Sequence, residues 1–418
     1  LSVRDFPWKK PVDFPVEKKD MLSFKYRIYP TKKEVSKLTR QMRLAKEVHN
    51  LLLEKSRQYY KDTGKTFSQY DMNNHIRCLK AERPDISEVH SQVLQNISKR
   101  VGDAYQAFFR RAKERRAGKN VKAGFPRSKK FVSSLSYPQS GFSLKNKRRL
   151  YLSGIGNVPI VLHRLPKGQI KTCTIKHYRS GEWYVGLSNE IPATTFHSNG
   201  KEMVDLDVGL KNFVTLSNGQ KVVAPRFLRL SEERIKLMQR RVSRKKKGSQ
   251  NRKKACIRLS MQHEKVSNQR LDFLHKLSRQ QVVSYSKIAV ENLNVKGMVR
   301  NHHLAKSIVD ASWGVYVQLL HYKAWSAGCE VVDVDPEYTT QECSNCGKRQ
   351  KMELSERIYM CPACEHTEDR DLNAAKNILK RATVGLTGSD ACGDLPSTPL
   401  AKEEQGISLK QELYGAAT

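Results

Sequence analysis

Cys343, Cys346, Cys361 and Cys364 form two C-x-x-C pairs separated by 14 residues. Pairs at this spacing can place four thiolates tetrahedrally around Zn²⁺ at about 2.3 Å, and a closed four-ligand site leaves no position for a substrate. The expected role is therefore structural. A tetrahedral S₄ set would also suit an iron–sulfur centre, and disulfide pairing is the remaining alternative. Five other cysteines (Cys78, Cys173, Cys256, Cys329 and Cys392) are scattered singly, which does not resemble a disulfide framework.

Three acids far apart in the chain suggest a second kind of metal chemistry. Asp207 lies in an apolar run with Gly209 just behind it, Glu291 closes "KIAVE", and Asp371 precedes "LNAAKNI". Two-metal phosphodiester hydrolysis needs carboxylates from separate elements converging on ions about 3.5–4 Å apart. Acids at the ends of apolar strands meet that need. For each one alone, a surface or capping role is the plain alternative. Asp369 and Asp371 could both cap a helix over 373–380, and Asp205 shares the strand face of Asp207 without an evident task.

The chain as a whole is basic. Its 418 residues carry 77 Lys+Arg against 41 Asp+Glu, a formal charge of +36. Lysine and arginine contacts to phosphates release condensed counterions, so a polyanionic partner is expected. No run of about 18 apolar residues and no signal or lipidation motif argues for a membrane, and the chain reads as soluble and intracellular. Two clusters concentrate the charge. Arg110, Arg111, Arg115 and Arg116 lead to Lys119, and Arg240 to Lys254 holds nine basic and no acidic residues, including Lys245, Lys246, Lys247, Arg252, Lys253 and Lys254. Amides at Gln69, Asn73, Gln92, Gln95, Asn96 and Gln139 could pair with base edges, although scattered amides are more often plain surface residues.

These groups must be positioned by recognisable elements. "LSFKYRI" alternates Leu22, Phe24, Tyr26 and Ile28 as a strand does. Thr31 and Glu34 then form a capping-box pattern before Val35, Leu38, Met42, Ala45, Val48 and Leu52 at helical spacing. Helical character continues through Val93, Ile97, Val101, Ala104 and Phe108. Strands return from Phe142 to about Ile191, with a hairpin turning at Arg179-Ser180-Gly181. A new block opens near residue 200 with a strand and a hairpin turned at Asn218-Gly219. Two basic amphipathic helices over about 230–246 and 251–285 follow. Then come the strand "KIAVENL", a helix from "SWGVYV" and the strand "CEVVDVDP", an α/β order.

"VDLDVGLKNFV", "AVENL" with "GMVRN" and "SWG", "DPEYTTQECSNCG" and "CPACEHTEDRDLNAAKNI" together resemble TnpB, a transposon-encoded nuclease family, over roughly residues 22–382. "GFPRSKK" and the first strand are similar to the family's N-terminal half. The resemblance implies an α/β multidomain chain. Its parts would be an RNase H-like RuvC nuclease with an inserted zinc ribbon and an N-terminal wedge β-sheet domain with an inserted helical recognition bundle. It places Asp207, Glu291 and Asp371 at the three magnesium positions and the four cysteines around structural zinc. Asp205 departs from it, standing where the family often has a small or apolar residue.

The expected division is a poorly structured leader over 1–21 and a wedge domain over 22–198 with its helical insert at about 31–120. The first two nuclease motifs with the basic helical hairpin follow over 199–336, the ribbon over 337–366, the last motif and helix over 367–382, and a disordered tail over 383–418. By the same likeness the protein would cut double-stranded DNA beside a short flanking motif. A guide RNA transcribed from the transposon end would direct it, with two Mg²⁺ in a single site, one protein per RNA and a bacterial cytoplasmic location, nucleoid-associated on DNA. Gln69, Asn73, Gln92, Gln95 and Gln139 are the flanking-motif candidates. Three rivals remain: a compact type V CRISPR effector, a nuclease-dead RNA-guided binder, and a non-catalytic DNA-binding accessory protein of transposition.

Overall fold

The computed structural model describes residues 19–146, 148–192, 197–335, 337–352 and 356–384. Of the expected leader (1–21) and tail (383–418), residues 1–18 and 385–418 lie outside the described residues, while 19–21 belong to the first strand and 383–384 to the last helix. Two compact units are present, Leu1–Phe196 with Phe227–Phe273, and His197–Arg226 with Leu274–Thr418.

In the first unit, β1 (Lys19–Ile28) buries Phe24, Tyr26 and Ile28, while Ser23, Lys25 and Arg27 alternate to the other face. Thr31 stops the strand and starts α1 (Lys32–Thr63). Its hydroxyl accepts from the Glu34 N–H, and the Glu34 carboxylate accepts from the Thr31 N–H at 2.7 Å. This reciprocal cap satisfies two backbone donors that the first helical turn leaves open. Gly64 ends α1 in a left-handed conformation, φ 68°, which costs glycine nothing. Next come α2 (Gln69–Glu82), α3 (Ser91–Arg116) and six strands: β2 (Ser134–Tyr137), β3 (Phe142–Lys145), β4 (Arg149–Leu152), β5 (Gly156–Val161), β6 (Gln169–His177) and β7 (Trp183–Pro192). They pair antiparallel with β1 in one seven-stranded sheet of order β2-β6-β7-β1-β5-β4-β3. Leu38, Val48 and Leu52 of α1 and Val93, Ile97 and Val101 of α3 share one core with Tyr26, Val185 and Leu187. Each such side chain stabilises the unit by roughly 1.5–3 kcal/mol.

The second unit begins with β8 (Met203–Val208), β9 (Asn212–Leu216) and β10 (Lys221–Val223). Gly219, at φ 85°, makes the turn between the last two. The basic segments form α4 (Phe227–Ser243) and α5 (Gln250–Ser284).

The chain then returns to the second sheet with β11 (Lys287–Glu291), followed by α6 (Val295–Met298), α7 (His302–Ala311), α8 (Trp313–Ala324) and β12 (Glu330–Val334). The ribbon strands β13 (Ile358–Met360) and β14 (Thr367–Asp369) precede α9 (Arg370–Val384). Strand order is β10-β9-β8-β11-β12, with β11 parallel to both neighbours. Ile288, Ala289 and Val290 are consecutively buried, as a parallel strand covered on both faces requires. On α9 the buried side chains include Ala374, Ala375 and Ile378, and the helix packs against β8, β9, β11 and β12.

Candidate active site and thiol cluster

The parallel pairing of β8 and β11 brings two of the expected acids level. Leu206 pairs with Val290, so Asp207 and Glu291 stand one residue further along, at the C-terminal ends of adjacent strands. In α/β sheets this edge is where ligands bind. Behind Asp207 the chain turns tightly: a Cβ at Gly209 would lie 2.9 Å from the Asn212 carbonyl oxygen. Asp371 arrives from the first turn of α9.

Asp371 is free for this role because its neighbour does the capping. One oxygen of Asp369 accepts from the backbone N–H groups of Asp371 and Leu372, at 3.0 and 3.3 Å, and the other pairs with Lys221 Nζ at 2.7 Å. The Asp371 carboxylate stands 3.6 Å from Arg370 Nη2.

Burial is the main force that raises the Asp207 carboxyl well above the usual range, and the charges of Glu291 and Asp371 push it further, with Arg370 opposing. Glu291 is also raised, chiefly by burial, while the Thr339 hydroxyl, which donates to Glu291 Oε1 at 2.7 Å, and Arg381 work the other way. Crowded carboxylates of this kind become favourable once a cation neutralises them. Carboxylate oxygens such as these are the donors that hard cations prefer.

Asp205 belongs to the same neighbourhood. It is fully buried, neither carboxylate oxygen has a hydrogen-bond partner among the described residues, and burial with the Asp207 and Glu291 charges raises it well above the ordinary value. Its place on the Asp207 face was readable from the strand alternation. Its burial was not, because that depends on α9 covering the sheet.

The four thiols gather within 4.8 Å of one another. Cys343 and Cys364 Sγ are 3.7 Å apart, and Cys346 and Cys361 Sγ are 3.5 Å apart. Those separations are too long for disulfides and match the edge of a tetrahedron of about 3.8 Å implied by metal–sulfur bonds of about 2.3 Å. Both knuckles use one backbone pattern. Cys343 N–H donates to the Lys348 carbonyl and its own carbonyl accepts from Gly347. Cys361 repeats this with His366 and Glu365. The thiols titrate together: although burial opposes it, the N–H groups of Ala363 and Cys364 lower Cys361, while Cys346, despite the Lys348 N–H, is raised by hydrogen bonds from the other thiols.

The thiol cluster is fastened directly to the helix that carries Asp371. Asn373 Nδ2 donates to the Glu342 carbonyl and its Oδ1 accepts from Ser344 N–H, at 2.7 and 2.8 Å. Asn377 Nδ2 donates to the Thr339 and Glu342 carbonyls, at 2.9 and 2.6 Å. Sequence reasoning passed over both asparagines and Thr339. The "NAAKN" spacing of four places both amides on one helix face and was the available signal.

The remaining candidates divide. Arg110, Arg115, Arg116, Lys246, Lys247, Lys253 and Lys254 are exposed, and Arg111 and Lys245 are half-buried. Arg252 has a structural task, donating to the Val242 and Lys245 carbonyls at 2.7 and 3.1 Å to close the turn between α4 and α5. Gln69, Gln95 and Gln139 are exposed and Gln92 is half-buried, whereas Asn73 accepts from the Ser98 hydroxyl at 2.6 Å, joining α2 to α3.

Residues 187–302 match a family model described as "Probable transposase", and residues 313–378 match "Cas12f1-like, TNB domain". A "Helix-turn-helix domain" model matches residues 21–65, which here form β1 and the single long α1. A Streptomyces pristinaespiralis protein named "Putative RNA-guided DNA endonuclease" is 34% identical over 383 residues, covering 89% of this chain and 91% of that one. An Escherichia coli relative whose name carries the same description, InsQ, is 29% identical over 340 residues, 77% and 79% of the two chains. The fold is similar to that of Cas12f1 solved with single-guide RNA and target DNA, at a TM-score of 0.54 and 15% identity, covering 83% of this chain and 82% of that one.

Proposed function

Because this chain belongs to the TnpB family of transposon-associated RNA-guided DNA endonucleases, we propose that it cuts double-stranded DNA chosen by a guide RNA, at one carboxylate site. What supports this reading is the placement of Asp207 and Glu291 at the ends of adjacent parallel strands and of Asp371 in the first turn of α9, the helix packed against those strands, with the Asp207 carboxyl raised by burial and by the other two charges. The mixed sheet with β11 parallel between β8 and β12 supports an RNase H-like RuvC unit. The seven-stranded sheet, with three helices between β1 and β2, supports a wedge domain carrying a recognition insert.

Asp207, Glu291 and Asp371 would hold two Mg²⁺, which supply water activation and stabilisation of the leaving oxygen when bound. The protein's own part is to hold these carboxylates in register. Parallel pairing fixes the backbones of Asp207 and Glu291, Asp369 anchors the helix start so that Asp371 need not, and Arg370 offers a cation close to the site. Cys343, Cys346, Cys361 and Cys364 fit a structural zinc. The guide is read as a transposon-end transcript, with one protein per RNA. No helix among the described residues is long and apolar enough to cross a membrane, consistent with a bacterial cytoplasmic protein that meets the nucleoid through its target.

Replacing Asp207, Glu291 or Asp371 by Ala should abolish Mg²⁺-dependent cleavage and leave guide and target binding nearly intact, because affinity comes from the basic surface. Wild-type cutting by the Asp371→Ala protein would refute the assignment.

A further inference from the structure

Thr339 belongs neither to the thiol cluster nor to the acids, yet it touches both systems. It lies four residues before Cys343, is 2% exposed, and donates its hydroxyl to Glu291 Oε1 at 2.7 Å. Its backbone is equally well held. The Thr339 carbonyl accepts from Asn377 Nδ2. Arg381, one helical turn further along α9, donates to the Asp335 and Glu337 carbonyls at 3.1 and 2.6 Å and to Glu342 Oε2 at 2.8 Å. Asn373, Asn377 and Arg381 are four residues apart and therefore line one face of α9. Together they tie the segment between β12 and the first knuckle to the helix that carries Asp371.

We infer that Thr339 is a positioning residue for Glu291, its hydroxyl fixing the carboxylate that the α9-bound knuckle segment brings it against. This rests on the carboxylate reading above. A glutamate at a strand end has several rotatable bonds, and unaided it would sample rotamers that turn it away from Asp207. A buried hydroxyl on a separately anchored segment selects one of them. The bond also links the segment that leads into the knuckles to Glu291, alongside the asparagine contacts that join the ribbon to α9. Side chains that hydrogen-bond metal-binding carboxylates typically contribute about tenfold to a hundredfold in metal affinity or activity.

The test compares Thr339→Val, nearly isosteric but without the donor, and Thr339→Ser, which keeps it. Mn²⁺ affinity of the full-length chain is measured by calorimetry, and cleavage by the guide complex is measured across Mg²⁺ concentrations. T339V should bind Mn²⁺ about tenfold more weakly and need about tenfold more Mg²⁺ for half-maximal cleavage. Zinc content and target KM should stay at wild-type values, and T339S should recover most of the loss. Unchanged Mn²⁺ affinity and Mg²⁺ dependence in T339V would overturn the inference, as would a T339S protein as impaired as T339V. Glu291→Gln, run in parallel, separates the two levels. If it cuts like wild type, the carboxylate reading fails and the inference with it; if it is inactive while T339V is normal, the inference alone fails.

Discussion

Asp369 and Asp371 are two residues apart and carry the same chemical group, but only Asp369 accepts from the first N–H groups of α9. Removing a helix cap costs about 1 kcal/mol. Asp369→Ala should therefore lower the melting temperature and only slow cleavage, whereas Asp371→Ala should keep stability and lose cleavage; melting curves and cleavage assays on the same preparations decide. Spacing placed both acids at the helix start and left open which of them caps it, since a cap is defined by a rotamer and the pattern specifies only position. Asp205 and Thr339 were less legible still. Each acquires its surroundings from elements distant in the chain, α9 over one and Glu291 beside the other. A further residue-scale consequence concerns His49, where burial, aided by the Lys129 charge, lowers the imidazole to about 4 from an ordinary 6.5. Between those values the unfolded chain binds more protons than the folded one. The stability His49 contributes is thus complete above about pH 6.5 and lost as pH falls toward 4, about 1–2 kcal/mol by pH 5. His49→Leu should flatten that part of the stability–pH curve; an unchanged acid slope would contradict the assignment.

Among the elements, those governed by neighbouring residues were the readable ones. The Thr31 capping box, the Asn218-Gly219 hairpin and the two cysteine pairs each rest on contacts within a few positions, so spacing alone anticipates them. Arg252 shows the opposite case: spacing offers it only as a phosphate contact, and tertiary structure adds that one nitrogen of its guanidinium closes the turn between α4 and α5. The joining of the ribbon to α9 by Asn373 and Asn377 also needed tertiary context. This joining makes metal loss more than a local event. Cys361→Ser should reduce zinc from about one ion per chain to near none and lower the melting temperature, because metal binding and folding are coupled in such small units. It should also slow cleavage, since the segment holding Thr339 loses its order. A Cys361→Ser protein without zinc that still cuts at the wild-type rate would show the ribbon to be independent of the active site.

At the scale of the molecule, a charge of +36 over 418 residues is hard to sustain without a polyanion, because self-repulsion opposes the compact state. Charge alone cannot say which nucleic acid is bound; any duplex or single strand would neutralise it. That distinction comes from the chain's relatives and from the proposed carboxylate site. The central claim is that this hydrolysis is directed by RNA, and the most direct measurement removes the RNA. The purified complex should contain a structured transposon-end transcript, identified by sequencing, and should cut DNA matching the guide beside a short flanking motif. Protein stripped of RNA should lose that cleavage, and adding the transcript back should restore it. A repeat–spacer RNA in its place would support the CRISPR-effector reading, and random fragments the accessory-protein reading. RNA-free protein that cuts the same target as well as the complex would contradict the account, even with Asp207, Glu291 and Asp371 all in place.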